Sequence, residues 1–188
     1  MAEPTGASMI DTVTGDPGAG ARKPRREPYT RPITPDTYEK VLAVGAVLLL
    51  VAVVVAIARG RADWAVVPAV VWLHLATIGV ALALTPVMML RPRGDRRHRK
   101  IGWVWCGALM LTAIDSLFIR LTNNGGFSII HILSVWTVIQ VPIIVWSARQ
   151  HQVKRHRAAV RGMVTGALLI AGFFTFPFDR MLGHWLFG

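Results

Sequence analysis

Downstream of Lys40 the chain is a series of long apolar runs separated by short basic stretches. It carries neither the spaced apolar stripe of a soluble helix nor the strict alternation of a half-buried strand. Five runs stand out, over about 41–58, 64–90, 101–121, 127–147 and 160–178. A helix needs roughly 20 residues to cross about 30 Å of hydrocarbon, and lipid offers no water to unpaired backbone, so each run is expected to span as a helix. The expected fold class is therefore an all-α integral membrane protein, five transmembrane helices in an antiparallel bundle over residues 38–188. Residues 1–37, rich in Gly, Pro, Thr and charge, are expected to form a disordered cytoplasmic basic tail. The first apolar run starts too late and is too long for a secretory signal, so it is expected to stay on the mature protein.

Charge sets the orientation. Seventeen of the 21 Lys and Arg lie in the tail with Lys40, in 91–100 and in 149–161, against Arg59, Arg61, Arg120 and Arg180 on the other side. Positive charge marks the cytoplasmic face, so the N-terminus is expected inside and the C-terminus outside, in a plasma (inner) membrane. The formal net charge of +11 is thereby read as topology; without an aromatic stacking pattern or a known module, a nucleic-acid partner is not expected. The lone Cys106, inside an apolar run, excludes a disulfide framework and a C-x-x-C pair.

The chemistry-bearing residues inside the runs are few. His74 and His131 each lie 16 residues above the basic end of their run, roughly 24 Å along a helix, so both imidazoles are expected at one depth. His98 and His156 open the following runs, 24 and 25 residues after His74 and His131, and share a second depth. Two facing imidazoles can hold one iron from opposite sides of a porphyrin. Arg99 and Arg157, each directly after a histidine, are candidate propionate partners, although the positive-inside pattern alone would place them there too. Gly79, Gly102 and Gly162 leave room for a ring edge. Asp115 is costly at such depth; it is expected to orient an imidazole, relay a proton, or pair with Arg120. The competing reading makes the histidines interhelical hydrogen-bonding groups. His151 and His184 read as surface residues, Gly162 and Gly166 as a close helix contact, and Trp64, Trp103, Trp105, Trp146 and Trp185 as an interfacial belt.

The segments H-R-K-I-G-W at 98–103, G-G-F-S-I-I-H at 125–131, H-R-A-A-V-R-G at 156–162 and I-A-G-F-F-T at 170–175 resemble a family of bacterial membrane proteins defined as a domain of unknown function, over about 65–188. That resemblance implies topology and no activity. One histidine on each of four consecutive spans is, more distantly, similar to the two-haem transmembrane b-type cytochromes. It would imply His74 with His131 at one haem and His98 with His156 at another, although here the second pair lies at the very ends of the spans.

Two functions are therefore expected as alternatives. One is a protein binding one or two haem b groups and moving electrons, with a quinol or another redox protein as partner. The other is a non-redox protein, a proton-coupled small transporter or an accessory subunit in a homo- or hetero-oligomer, whose histidines and Asp115 hydrogen-bond or shuttle protons.

Overall fold

The computed structural model describes residues 34–119, 129–177 and 180–188, all within one compact unit, Arg31–Gly188. The disordered tail expected over 1–37 falls almost wholly outside the described residues, as does Arg120. All regular structure among the described residues is helical.

Helix α1 (Thr37–Arg59) starts at a capping box: the Asp36 carboxylate accepts the Glu39 N–H at 3.0 Å, and Glu39 reaches back to accept the Asp36 N–H at 3.1 Å. It ends at Gly60, where a 3₁₀ turn (Gly60–Val66) leads to Pro68. Proline cannot donate a backbone hydrogen bond, so α2 (Ala69–Leu90) begins after it, later than the Trp64 start expected. Pro92 biases Arg91 to extended backbone and closes α2, and Gly94, at φ 92°, supplies the left-handed residue of the turn. Asp95 caps α3 (Arg96–Ser116) by accepting the His98 N–H. Helix α4 (Ile129–Arg149) contains Pro142. Helix α5 (Val153–Met163) continues through a π-helical stretch (Val164–Ile170) into α6 (Ala171–Phe173), and α7 (Met181–Phe187) follows.

The basic stretches expected as loops are largely the first turns of α3 and α5, and this changes which helices qualify as spans. Among the described residues, three segments are long and apolar enough to cross a membrane: Thr37–Val66, Ala69–Leu90 and His131–Arg149. Helix α3 carries Arg96, Arg97, Arg99 and Lys100, and α5 carries Lys154, Arg155, Arg157 and Arg161.

The helices close into a ring. α1 packs on α2, α2 on α3, α3 on α4 and α4 on α5, while the π-helical stretch returns to α1. Neighbours within the hairpins are antiparallel: Thr77 meets Thr112 and Thr85 meets Trp105 across α2 and α3, and Ser116 meets Ser134 across α3 and α4. One end of the bundle therefore gathers the start of α1, the end of α2, the start of α3, the end of α4 and the start of α5. This is the basic end. Small residues on the contact faces (Ala43, Ala46, Ala81, Ala108, Ala159) let backbones approach, which matters where lipid supplies no hydrophobic drive between helices.

Gly162 and Gly166 do not form one contact face. A Cβ on Gly162 would meet nothing within 4 Å, whereas one on Gly166 would touch Trp136 at 3.7 Å. Gly162 lies in α5 and Gly166 in the π-helical stretch, and only the latter faces α4. The tryptophan belt also divides. Trp103 and Trp146 are exposed, but Trp105 is wholly buried and donates to Thr85 Oγ1 at 3.0 Å, and Trp185 is buried beside Gly60 with its N–H on Asp63 Oδ2 at 2.9 Å.

At the opposite end α7 folds back onto α1. A Cβ on Gly183 would lie 1.7 Å from the Phe176 carbonyl oxygen, a clash with backbone that no rotamer relieves. Gly183→Ala is expected to cost about 2 kcal/mol or more, within the usual range for point mutations. Thermal unfolding in detergent should fall by roughly 4 °C or more, with amide exchange accelerated in α7 first; an unchanged melting temperature contradicts the packing described.

Candidate functional site

Residues equidistant from the Gly94–Asp95 turn face each other across the α2–α3 hairpin, and this register joins His74 to Asp115. His74 Nδ1 lies 2.7 Å from Asp115 Oδ1, with the carboxylate 6% exposed and the imidazole 27%. One turn along, the Thr77 hydroxyl lies 3.2 Å from Asp115 Oδ2 and receives the Thr112 hydroxyl at 2.8 Å. Thr77 also reaches the Leu73 and His74 carbonyls, so its single proton is shared among three acceptors. Both carboxylate oxygens are thus engaged, which a buried acid requires.

The polar layer extends into α4. Ser116 Oγ and Ser134 Oγ are 2.6 Å apart and buried, and His131, 5% exposed, sits one turn from Ser134 on α4. Toward the basic end Ala81, Leu82, Ala108 and Leu109 are buried and apolar. Beyond them Trp105 and Thr85 form the next polar contact. His74 and Asp115 therefore lie in a polar layer separated from the basic end by an apolar one.

His98 and His156 both lie at the basic end, near the starts of α3 and α5. His156 Nδ1 lies 3.0 Å from the Ile144 carbonyl, the geometry of a donated hydrogen bond that leaves Nε2 for other partners. His98 keeps a buried Nδ1 with no hydrogen-bond partner. Burial, and then the neighbouring His156, push the His98 imidazole below its ordinary pKa, with Arg93 and Arg91 acting in the same direction against Asp95.

Arg157, expected to be available to a propionate, is instead bound by carboxylates. Its Nε donates to Glu39 Oε1 at 2.7 Å and its Nη2 to Glu39 Oε2 at 3.0 Å, and Nη2 lies 3.1 Å from Asp36 Oδ2. Arg99 is exposed and has no carboxylate partner among the described residues. Among those residues no three His, Cys, Asp or Glu side chains gather to hold a metal ion. A Cβ on Gly79 or Gly162 meets open space and one on Gly102 meets Met88 Cε at 3.5 Å. An open cavity of about 400 Å³ lies elsewhere, lined by Asp63, Pro68, His184 and Trp185 among others.

Glu39 is the residue that sequence reasoning missed. It is 1% exposed, and Arg93 and Arg161 join Arg157 on it, with Arg161 also paired to Asp36. The pattern Asp36-x-x-Glu39 ahead of an apolar run is a capping-box signature that could have flagged it. Burial pushes the Asp36 carboxyl up, but the Glu39 N–H and the Arg161 and Arg157 guanidiniums outweigh it and hold the group below the usual carboxylate range.

No family model, curated protein or solved structure matches this chain.

Glu39→Gln leaves three guanidiniums around a neutral amide and is expected to destabilise by about 3 kcal/mol, the range for breaking one side of a buried ion pair. Chemical unfolding in mixed micelles measures it; a loss under about 1 kcal/mol would show the cluster to be merely superficial. The pH dependence has one sign. His98 is depressed when folded, so the unfolded chain takes up a proton first as pH falls below about 6.5, and stability declines there. The depressed Asp36 adds a second loss at pH below about 4. His98→Gln should remove the first decline and keep the second, read as melting temperature against pH.

Proposed function

We propose that the chain is an integral membrane protein of five spans, with the basic end cytoplasmic, that handles protons through the His74–Asp115 couple. The observation that carries this is the 2.7 Å contact between an imidazole and a buried carboxylate. Ionisable groups inside a membrane bundle are costly and mark function by default. The imidazole is the one common side chain that titrates near neutral pH. His74 is the more exposed partner, and the contact is a path for a proton between its Nδ1 and Oδ1 of Asp115, the carboxyl group being held by Thr77. The apolar layer of Ala81, Leu82, Ala108 and Leu109 on one side and the cluster of Val71, Leu75 and Leu182 on the other limit exchange with either face until the bundle rearranges. A small proton-coupled carrier or an accessory subunit of a proton-moving complex has this requirement.

A second reading rests on a different observation. With Nδ1 anchored on the Ile144 carbonyl, the Nε2 of His156 would be the nitrogen offered to a bis-imidazole haem b site at the basic end, and His98, whose buried Nδ1 has no hydrogen-bond partner, would supply the second imidazole. The haem would supply one-electron chemistry; His98 and His156 would hold it, with Arg99 available to a propionate.

Infrared difference spectra of reconstituted protein between acid and neutral pH test the first reading. A protonated-carboxyl band present in the wild type and absent in Asp115→Asn, with its midpoint displaced in His74→Gln, is the expected result; wild-type spectra in which Asp115→Asn changes nothing overturn it. A reduced-minus-oxidised visible spectrum tests the second. A haem band lost in His156→Ala supports it, and colourless protein from haem-sufficient cells refutes it.

A further inference from the structure

The basic end holds more cation than its carboxylates can match. Asp36 and Glu39 engage Arg93, Arg157 and Arg161, and Asp95 lies near Arg91. Arg149 and Arg155 are treated differently: each guanidinium stacks on a tryptophan. Arg149, at the end of α4, lies 5.8 Å from the Trp103 ring centroid on α3, and Arg155, at the start of α5, lies 4.9 Å from that of Trp146 on α4. Both rings are exposed, Trp103 at 59% and Trp146 at 46%. Trp146 and Arg149 are one turn apart on α4, so the two stacked pairs occupy one rim, and Arg99 and Lys100 lie a turn below Trp103 on α3. Above it, Val104 and Leu111 are exposed apolar side chains.

An exposed guanidinium ordinarily samples many rotamers; stacking on an indole restricts it while leaving its N–H edge free. The rim thus offers two restrained guanidiniums beneath flat rings and beside an apolar wall, which complements a phosphodiester with acyl chains attached. We infer that the α3–α4 rim formed by Trp103, Arg149, Trp146 and Arg155 is a binding site for the headgroup of an anionic phospholipid. The charge on the phosphate bridges the guanidiniums and the acyl chains lie along Val104 and Leu111. This inference rests on the membrane orientation proposed above and is independent of the chemistry of His74 and Asp115.

Native mass spectrometry of the full chain in detergent, titrated with phosphatidylglycerol or phosphatidylcholine, tests it. Phosphatidylglycerol adducts should persist at collision energies that strip phosphatidylcholine, and the Arg149→Gln/Arg155→Gln double variant should weaken phosphatidylglycerol binding by tenfold or more. Arg96→Gln/Arg97→Gln removes the same charge from residues that stack on no ring, and is expected to retain binding within twofold. Equal losses in both double variants would mean diffuse attraction to a basic face, and would overturn the site. Inorganic phosphate competing at millimolar concentration would overturn the lipid assignment in favour of a free-anion site. Accessibility labelling of a C-terminal tag reads the orientation separately, so a failed titration with the basic end inside refutes the lipid site alone.

Discussion

A carboxylate withdrawn from water must find compensating charge, and that requirement at Glu39 ties the basic end together. Its two oxygens draw Arg93 from the α2–α3 turn and Arg157 and Arg161 from α5 to the first turn of α1. Three elements distant in sequence are thereby fixed against one another, and α1 becomes the strut that closes the ring. Association of helices in lipid gains little from apolar burial, so a polar clasp of this kind, added to small-residue packing, carries a larger share of specificity than it would in water. The Tyr38 hydroxyl at 2.6 Å from Thr165 Oγ1, and Arg161 stacked over the Tyr38 ring, extend the clasp onto the π-helical stretch.

The same economy governs the His74–Asp115 layer. Hydroxyls of Thr77, Thr112, Ser116 and Ser134 surround the couple with donors and acceptors that cost little to bury because each finds a partner. The helix pairings α2–α3 and α3–α4 are consequently specified by polar contacts at matched heights, while the apolar layer between this region and Thr85 is specified by shape alone. A bundle built this way has one stiff polar floor at each end and a packed apolar middle.

Much of this could be seen in the sequence, for identifiable reasons. Asp115 was expected to orient an imidazole, relay a proton or pair with Arg120, and it lies against the imidazole of His74; a short turn forces residues equally far from it into opposition, and that register, not used in the reading, is what singles out His74. His98 and His156, expected at one depth, lie near the starts of α3 and α5. The equal depth of His74 and His131 said nothing of azimuth, and the main packing partners of α2 are α1 and α3 while those of α4 are α3 and α5. Glu39 was hidden because a single acid before an apolar run looks like an ordinary solvent-facing cap. The pairing of Arg157 with Glu39 and Asp36 had no signal in the sequence, because a basic stretch reads as loop, whereas here it is a helical face directed at α1. Val-Thr-Gly-Ala-Leu-Leu-Ile has nothing in its composition to set it apart from ordinary α-helix, so the π winding of 164–170 has no local signature.

That winding carries a structural consequence. A stretch with wider turns holds surplus chain relative to an α-helix of equal rise, and here it follows the Arg157/Arg161 face and itself carries Leu168 and Leu169. The surplus shifts the angular phase of the chain where it comes against α1: ahead of it α5 reaches α1 through the long side chains of Arg157 and Arg161, and within it Leu169 packs directly over Gly45.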